Sequence, residues 1–283
     1  MNQLLSVKND FVFKKLFGEP GSEDVLINLL EAVLKIEIRS VELIKDLKLE
    51  KKHIKDKQCV IDVRALLHNG SKINIEMQVQ DKYNFVKRSF FYLSKIYTEG
   101  FEEGDDYFNL KKTITVNIVD YNIFNLDTCH YRIMLRDDKH VLNVLDEIME
   151  MHFLDLTQIK NLHDEKLSNW LKFIRTEDVE VINLLSKNDK AIALARKKLE
   201  ELSADEEFRL LAESRAKYLS DYNSDIAGAK REGKEEGLEE GREEEKLEII
   251  NRMLELQMSL EDIAKIVDIA LDELSQIIKD KKL

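Results

Sequence analysis

Two stretches of alternating apolar and polar residues, separated by a short turn, constrain the fold of this chain more than any other feature. The first stretch is CVIDVRALL, the second is KINIEMQVQ, and HNGS at residues 68–71 lies between them. An Asn-Gly pair between two alternating runs is a strong β-hairpin signal. The sequence therefore predicts two antiparallel strands that are joined at Asn69 and Gly70.

The second strand of this hairpin has one face without any apolar residue. Residues i and i+2 of a strand share a face, so Glu76 and Gln78 lie on one side while Ile75 and Met77 lie on the other. On the preceding strand, Asp62 is the acidic residue of its face. If the turn places Asp62 on the same side as Glu76, two carboxylates and one amide converge.

Such a group of oxygens suits a metal ion. Two neighbouring carboxylates repel each other, and a divalent cation removes that repulsion. Carboxylate oxygens, completed by a backbone carbonyl and water, are ligands that Mg²⁺ accepts. The ion polarises a phosphoryl oxygen and lowers the pKa of a bound water, as phosphodiester hydrolysis requires. The pattern alone is weakly specific, because many solvent-facing hairpins carry similar residues.

Further elements surround the hairpin in an order typical of an α/β core. Before it, a capped helix follows Asn9 and Asp10, then a longer helix and a strand; after it come a helix and a β-branched strand. The segments are FVFKKLF, VLINLLEAVL, IEIRSVELI, YNFVKRSFFYLSKIYTEGF and KKTITVNIVDYNIF. The final strand is most simply placed beside the sheet after a helical crossover. We therefore expect a mixed sheet flanked by helices.

The region after Leu126 has less regular patterns. YRIMLR and MHFLDLTQI fit additional strands, whereas LSNWLKFIR and residues 177–220 fit helices. The lone tryptophan, Trp170, lies in one of these helical runs and is expected in the core rather than on a stacking surface.

Composition excludes several classes of protein. A hydrophobic content of 43% over 283 residues can fill a core. The two cysteines, Cys59 and Cys129, form no CxxC spacing, which excludes a zinc ribbon and argues against a disulfide scaffold. No signal-peptide pattern or membrane-length apolar run is present. We expect a cytoplasmic protein that does not contact a membrane.

The net charge of −12 is unevenly distributed along the chain. Residues 1–126 carry 19 basic and 19 acidic side chains, so the whole acidic excess lies after Leu126. The neutral first part also contains KDLKLEKKHIKDK, with six lysines between Lys45 and Lys57. This run fits a basic surface for nucleic acid, and it equally fits a solvated edge strand or loop.

The C-terminal region divides into a charged segment and a small helical module. Residues 225–245 are mostly charged, with Gly233, Gly237 and Gly241 four residues apart, which favours a tether or a weak self-association helix. Residues 246–283 predict short helices, with a capping box at Ser259. They resemble a helix-turn-helix, but acidic residues open the would-be recognition helix, so packing or oligomerisation is favoured. The predicted segments are thus 1–126, 127–224, 225–245 and 246–283.

Four segments together carry a resemblance to a known family. They are NDFVFKKLFG at Asn9–Gly18, IDVRALLHNGSKINIEMQ at Ile61–Gln78, FVKRSFFYLSKIY at Phe85–Tyr97 and the EGxxEG tail. These segments resemble the recombination-promoting nuclease family, also described as a transposase family, of the PD-(D/E)XK nuclease superfamily. The superfamily core carries Asp on one strand and Glu-x-Lys on its neighbour.

The resemblance implies a restriction-endonuclease-like core and a DNA endonuclease that depends on Mg²⁺, for which Mn²⁺ can substitute. It also implies a link to DNA recombination or mobile elements. Asp62 and Glu76 become metal ligands, and Gln78 becomes a catalytic residue at the position where the wider superfamily has lysine. Because glutamine is neutral, slower chemistry or another auxiliary group is expected.

Two other functions remain open from the sequence. A nuclease-like fold without activity could serve as a DNA-binding protein or as an oligomeric interaction protein through the C-terminal helices. RNA is also chemically compatible as a substrate. The expected partners are therefore DNA and a second copy of the chain.

Additional candidate residues lie on the helices. Glu31, or Glu23, in the first long helix could supply another carboxylate, as the first helix of the superfamily often does. Arg88, Tyr92 and Lys95 form one helical stripe that fits phosphate contacts, although an ordinary exposed polar face explains it equally well. Asp10 and Lys14 match the opening motif of the family, and a helix cap explains them as well.

Overall fold

A computed structural model describes residues 4–44, 63–81, 84–140, 145 and 148–281 of the chain. The chain forms two compact units, one up to Lys217 and the other from Tyr218 onwards. The first unit contains all six strands that the described residues form. The predicted division into four segments stays a prediction.

The first unit is built on one mixed sheet with the order β1-β2-β3-β4-β6-β5. The strands are β1 Val41–Leu43, β2 Val63–Leu67, β3 Lys72–Gln78, β4 Thr113–Val119, β5 His130–Met134 and β6 Met149–Asp155. The central strands β3, β4 and β6 are parallel to one another, whereas the outer pairs are antiparallel. The predicted mixed α/β architecture is confirmed.

The predicted hairpin joins β2 and β3 in antiparallel register, with Val63 opposite Ile75 and Arg64 opposite Asn74. Gly70 in the turn has a φ of +83°, which glycine adopts at little cost. The side chain of Asn69 accepts a hydrogen bond from the amide of Ser71, 3.0 Å away. The turn chemistry read from HNGS therefore sets the strand register.

The described residues form nine α-helices, and those of the first unit pack on both sides of the sheet. The helices are α1 Asp10–Phe17, α2 Glu23–Leu34, α3 Phe85–Tyr97, α4 Glu165–Arg175, α5 Val179–Asn188, α6 Lys190–Ala204, α7 Glu206–Glu255, α8 Leu260–Ile266 and α9 Leu271–Lys281. Residues from α1, α2, α4, α5 and α6 share one large core with Ile73, Ile75 and Met77 of β3. Helix α3 covers the opposite side of the sheet, which we call the α3 face, through Phe85 and Leu93.

The two weakly patterned segments after Leu126 are strands, as predicted. β6 lies directly beside β4 and is parallel to it, and β5 adds to the edge of β6. The sheet is therefore completed by residues far along the chain from the hairpin.

The side chain of Trp170 is fully buried, as the sequence predicts. Its ring packs edge-on against Phe17, with 5.9 Å between centroids. Its indole Nε1 donates a hydrogen bond of 2.9 Å to the side-chain oxygen of Asn28. The residue thus fastens α4 to α1 and α2.

The capped helix at the start of the chain is also confirmed. The side chain of Asn9 accepts hydrogen bonds from the amides of Phe11 and Val12. Asp10 forms an ion pair with Arg215 in the first part of α7, with 2.6 Å between Oδ2 and Nη2. Asp10 follows the capping residue Asn9 and pairs with Arg215, so structural contacts explain its presence.

A buried polar chain links β5 and β6 on the side of the sheet opposite α3. The ring nitrogens of His130 and His152 are 2.7 Å apart, and His152 Nε2 is 2.8 Å from Glu150 Oε1. Lys112 and Arg132 also bind the Glu150 carboxylate. Burial alone would raise the pKa of Glu150, but the hydrogen bonds from these three neighbours hold it below its ordinary value. The charged and polar side chains of this network are thus paired with one another, as expected of a structural network.

The second unit has its own small core. Ile250 near the end of α7 packs with Ile263, Ala264 and Leu274 of α8 and α9. Ser259 caps α8 by accepting a hydrogen bond from the amide of Asp262, 3.2 Å away. A Cβ added at Gly233, Gly237 or Gly241 would meet no atom of the described chain within 4 Å. The glycines therefore serve no close contact within this part of the chain.

The helices were also compared with the requirements of a membrane span. Within the residues that the structure describes, none of the helices is both long enough and apolar enough to cross a membrane.

Truncation of the buried tryptophan tests the core. We expect Trp170→Ala to lower the free energy of unfolding by about 3–5 kcal/mol, because it opens a cavity and leaves Asn28 without its donor. The exposed Leu184→Ala on α5 is the matched control, with a change of about 0.5 kcal/mol or less. Urea unfolding followed by circular dichroism measures both. Equal effects of the two changes would contradict the assignment of Trp170 to the core.

The histidine chain predicts a pH dependence of stability. Burial lowers the pKa of His130 to about 4, and the neighbouring His152 acts in the same direction. The unfolded chain then binds a proton that the folded chain does not, so stability falls as the pH decreases from about 6.5 to about 4. We expect His130→Gln to flatten this part of the curve, while the exposed His140→Gln keeps the wild-type slope. Urea unfolding at several pH values measures the slopes, and parallel curves for wild type and His130→Gln would contradict the prediction.

Candidate active site

The polar side of β3 presents Glu76 and Gln78 to α3. Ile73, Ile75 and Met77 are held in the large core, so strand alternation directs the two polar side chains to the α3 face. The Glu76 side chain is 15% exposed and Gln78 is 8% exposed. The predicted pair therefore shares a partly enclosed position at the end of a central strand.

Arg88 on α3 binds both of these side chains. Its Nη2 lies 2.5 Å from Glu76 Oε1 and 2.8 Å from Gln78 Oε1. The Gln78 amide nitrogen donates to the carbonyl of Gln80, at 2.9 Å, which fixes the amide oxygen toward Arg88. The guanidinium carbon also lies 5.0 Å from the centre of the Phe85 ring. Two side-chain oxygens thus converge on one positively charged nitrogen.

The carboxyl ends of the parallel strands add two buried polar groups to this region. Gln78, Val119 and Asp155 are aligned across β3, β4 and β6. Asp155 is fully buried; its Oδ1 accepts from the amide and the hydroxyl of Thr157, whereas Oδ2 has no partner among the described residues. Buried polar atoms without a partner are uncommon in folded proteins, and each one requires a specific explanation, such as a catalytic role or a bound water or ion.

The hydroxyl of Tyr121, two residues after β4, is likewise buried without a partner in the described part of the chain. Burial raises the pKa of Tyr121 well above its ordinary value, and the charges of Asp81, Glu76 and Asp155 add to that rise. The hydroxyl therefore stays protonated and is available as a hydrogen-bond donor.

Sequence reasoning missed Tyr121 and Asp155, although a signal for both exists. Each follows or ends a strand that is buried in the sheet, and the carboxyl ends of parallel strands meet at one edge. The hairpin pattern alone could not reveal them, because neither residue belongs to the hairpin.

The other predicted site residues lie in different places. Asp62 is outside the described residues, and its role as a metal ligand stays a prediction. Glu31 accepts from the amide of Ile38 at 3.2 Å and pairs with Lys166 of α4 at 3.3 Å, contacts that belong to the layer opposite α3. Glu23 accepts from the amide of Gly21. The structure thus brings neither acid of α2 to Glu76.

The predicted stripe on α3 is only partly directed at this region. Arg88 reaches Glu76, as described above. Tyr92 is 38% exposed, and the Lys95 ammonium lies 4.7 Å from the centre of the Phe91 ring on the outer side of the helix. The three residues lie on one stripe by their spacing, and their phosphate contacts stay a prediction.

Comparison with known proteins identifies one family. A family model described as "PD-(D/E)XK nuclease family transposase" matches residues 7–229, an interval that includes the whole sheet and helices α1 to α6. Neither the curated proteins nor the solved structures gave a match. Nucleases of the PD-(D/E)XK type generally use divalent metal ions.

The chemistry of the site fits such an ion in part. The Glu76 carboxylate and the Gln78 amide oxygen are hard oxygen donors, and they already converge on the cationic Arg88. Within the described ranges, no group of three or more His, Cys, Asp or Glu side chains is arranged to hold a metal. The described residues thus offer two oxygen donors for one cation.

Because Arg88 occupies the Glu76 carboxylate, a metal ion has to compete with it. We expect Arg88→Met to bind Mn²⁺ roughly threefold to tenfold more tightly than wild type, since a partly exposed ion pair contributes about 1 kcal/mol. Lys95→Met removes a charge from the same helix without touching Glu76, and it is the matched control. Calorimetric titration without nucleic acid gives both affinities. Equal affinities for the two variants would show that Arg88 and the metal do not share the carboxylate.

Proposed function

The chain belongs to the PD-(D/E)XK nuclease family of transposases, and from this membership we propose that it is a DNA endonuclease that depends on a divalent metal ion, Mg²⁺ or Mn²⁺. The observation that carries the proposal is the convergence of Glu76 and Gln78 on one cationic group at the carboxyl end of β3. The reaction is hydrolysis of a phosphodiester bond by water.

Each residue has a distinct role in this reaction. Glu76 would hold the ion, together with the Gln78 amide oxygen and with Asp62, which directly precedes Val63 in the chain. When bound, the ion would polarise a phosphoryl oxygen and lower the pKa of a bound water. The residue Gln80 keeps the Gln78 oxygen in place through the hydrogen bond described above.

The departure from the superfamily pattern at Gln78 affects the proton and charge balance. An amide neither accepts a proton at neutral pH nor carries a positive charge. The proton of the attacking water therefore leaves to solvent or to a group other than Gln78. Positive charge that balances the negative charge developing on the phosphoryl oxygens comes from Arg88, which lies next to Gln78. Arg88 thereby takes over the charge that lysine provides elsewhere in the superfamily.

The cellular setting is part of the same proposal. The family description includes transposases, and we connect the reaction with DNA recombination or mobile elements in the cytoplasm. Self-association through α8 and α9 is a further element of the proposal, supported by the amphipathic pattern of these helices.

Removal of the Glu76 charge tests the proposed reaction. We expect Glu76→Gln to lower the rate of metal-dependent cleavage of supercoiled plasmid about 100-fold or more, because an ion that supplies several kcal/mol of transition-state stabilisation is lost. We expect a similar loss for Asp62→Asn. Glu42→Gln, an exposed acid of β1, is the matched control and should cut like wild type.

All variants are purified identically and their melting temperatures are compared. Cleavage by wild type that is unaffected by EDTA, or that survives in Glu76→Gln, would reject the proposed site. Absence of cleavage by wild type with either metal would favour the alternative, a nuclease-like DNA-binding protein without activity.

A further inference from the structure

The outer side of α3 exposes an unusual run of aromatic residues. Phe90, Phe91 and Tyr92 are consecutive, and they are 50%, 54% and 38% exposed. The helix is anchored to the sheet by other residues, Phe85 and Leu93. Phe90 and Phe91 therefore contribute little to the core, and several large exposed apolar side chains on one helix are typical of an interaction site.

The same helix is the most basic one in an acidic protein. It carries Lys87, Arg88 and Lys95 and no acidic residue, whereas every other α-helix among the described residues contains at least one Asp or Glu. The net charge of the whole chain is −12. This local positive charge is complementary to a polyanion.

This charge also disfavours a second copy of the chain as the partner. In a symmetric dimer the same surface appears on both subunits. Two copies of α3 would then bring their basic residues together, and like charges at a contact repel. A nucleic acid satisfies both the aromatic and the basic groups, which a second copy does not.

The aromatic surface is continuous with the candidate active site. Arg88, which binds Glu76, precedes Phe90 and Phe91 by two and three residues, a rise of about 3–5 Å along the helix. The ammonium of Lys95 lies over the Phe91 ring, and Tyr92 packs edge-on against it at 5.7 Å between centroids. Residues three positions apart are neighbours on a helix surface, so Phe91 lies beside Arg88 and within reach of a strand bound at Glu76.

Another exposed aromatic residue, in the segment that follows α3, has the opposite electrostatic surroundings. Phe108 is 88% exposed, but Glu102, Glu103, Asp105 and Asp106 precede it within a few residues. Those acidic side chains repel phosphates, so the proposed binding surface includes residues of α3 and excludes Phe108. Phe108 instead serves as an internal comparison, since it is aromatic and exposed but acidic in context.

Exposed aromatic rings flanked by cations recognise bases only when the base faces are accessible. In a duplex those faces are covered by neighbouring base pairs, whereas in a single strand they stack on Phe or Tyr rings while Lys or Arg contacts the backbone. We propose that Lys87, Phe90, Phe91 and Lys95 form a stacking surface for unpaired bases. The substrate class of the nuclease is then DNA with a single-stranded segment beside the scissile phosphate. This inference deepens the proposed function and rests on it for the choice of DNA.

Binding without cleavage tests the stacking surface. Fluorescence anisotropy of the full chain in EDTA compares a labelled single-stranded oligonucleotide with a blunt duplex of the same length. We expect wild type to prefer the single strand, and Phe90→Ala/Phe91→Ala to lose roughly tenfold or more of the single-strand affinity with little change for duplex. Phe108→Ala, the matched control, should bind both like wild type. Melting temperatures confirm that the exposed substitutions preserve the fold.

Four outcomes would overturn the inference: equal loss for single strand and duplex, no loss for either, tighter binding of RNA of the same sequence, or conversion of a dimer to a monomer by the double substitution in sedimentation experiments. The result is separable from the plasmid assay. Selective single-strand binding without any cleavage leaves the stacking surface standing and the endonuclease proposal rejected. Metal-dependent cleavage by a protein that shows no single-strand preference does the reverse.

Discussion

The alternation of side chains along β3 is the constraint on which the rest of the first unit depends. Ile73, Ile75 and Met77 are buried in the core that α1, α2 and α4 share. A shift of this strand by one residue would place the Glu76 carboxylate in that core, and burial of an unpaired charge is strongly unfavourable. The hydrophobic effect on one side of the strand thereby fixes the chemistry on the other. The hairpin turn at Gly70 and the parallel pairing with β4 then reinforce the same register.

Buried polar groups on the two sides of the sheet differ in whether they have hydrogen-bond or ion-pair partners. On the side opposite α3, Glu150 has partners for both carboxylate oxygens in His152, Arg132 and Lys112. On the α3 face, several buried polar atoms have no partner among the described residues: Arg64 Nε, Asn74 Oδ1, Arg88 Nε, Ser89 Oγ, Tyr121 OH and Asp155 Oδ2. A satisfied network stabilises a single structure, whereas an unsatisfied one costs stability and is retained where function requires it. The contrast supports the α3 face as the working side of the sheet.

Helix α3 lies between these polar groups and the solvent. Its inner side holds Arg88 against Glu76, and its outer side presents Phe90 and Phe91 among basic residues. Helical geometry produces this arrangement, because Phe90 lies about 200° around the helix from Arg88 whereas Phe91, three positions after Arg88, lies next to it. A single helix therefore carries both the cationic group beside Glu76 and the exposed rings on which the two proposals rest.

Local patterns in the sequence determined much of this protein, because hairpins, caps and face alternation depend on residues close together in the chain. The Asn69-Gly70 turn, the shared face of Glu76 and Gln78, the cap at Asn9 and the burial of Trp170 all belong to this class. Only the tertiary structure decided that β6 inserts beside β4, that Arg88 binds the Glu76 carboxylate, and that Asp155 and Tyr121 lie at the carboxyl ends of the central strands. It likewise gave Glu31 a partner in Lys166, far from it in sequence. Those outcomes depend on contacts between segments that are distant in the chain, and the packing of the whole sheet, rather than any local pattern, selects among them.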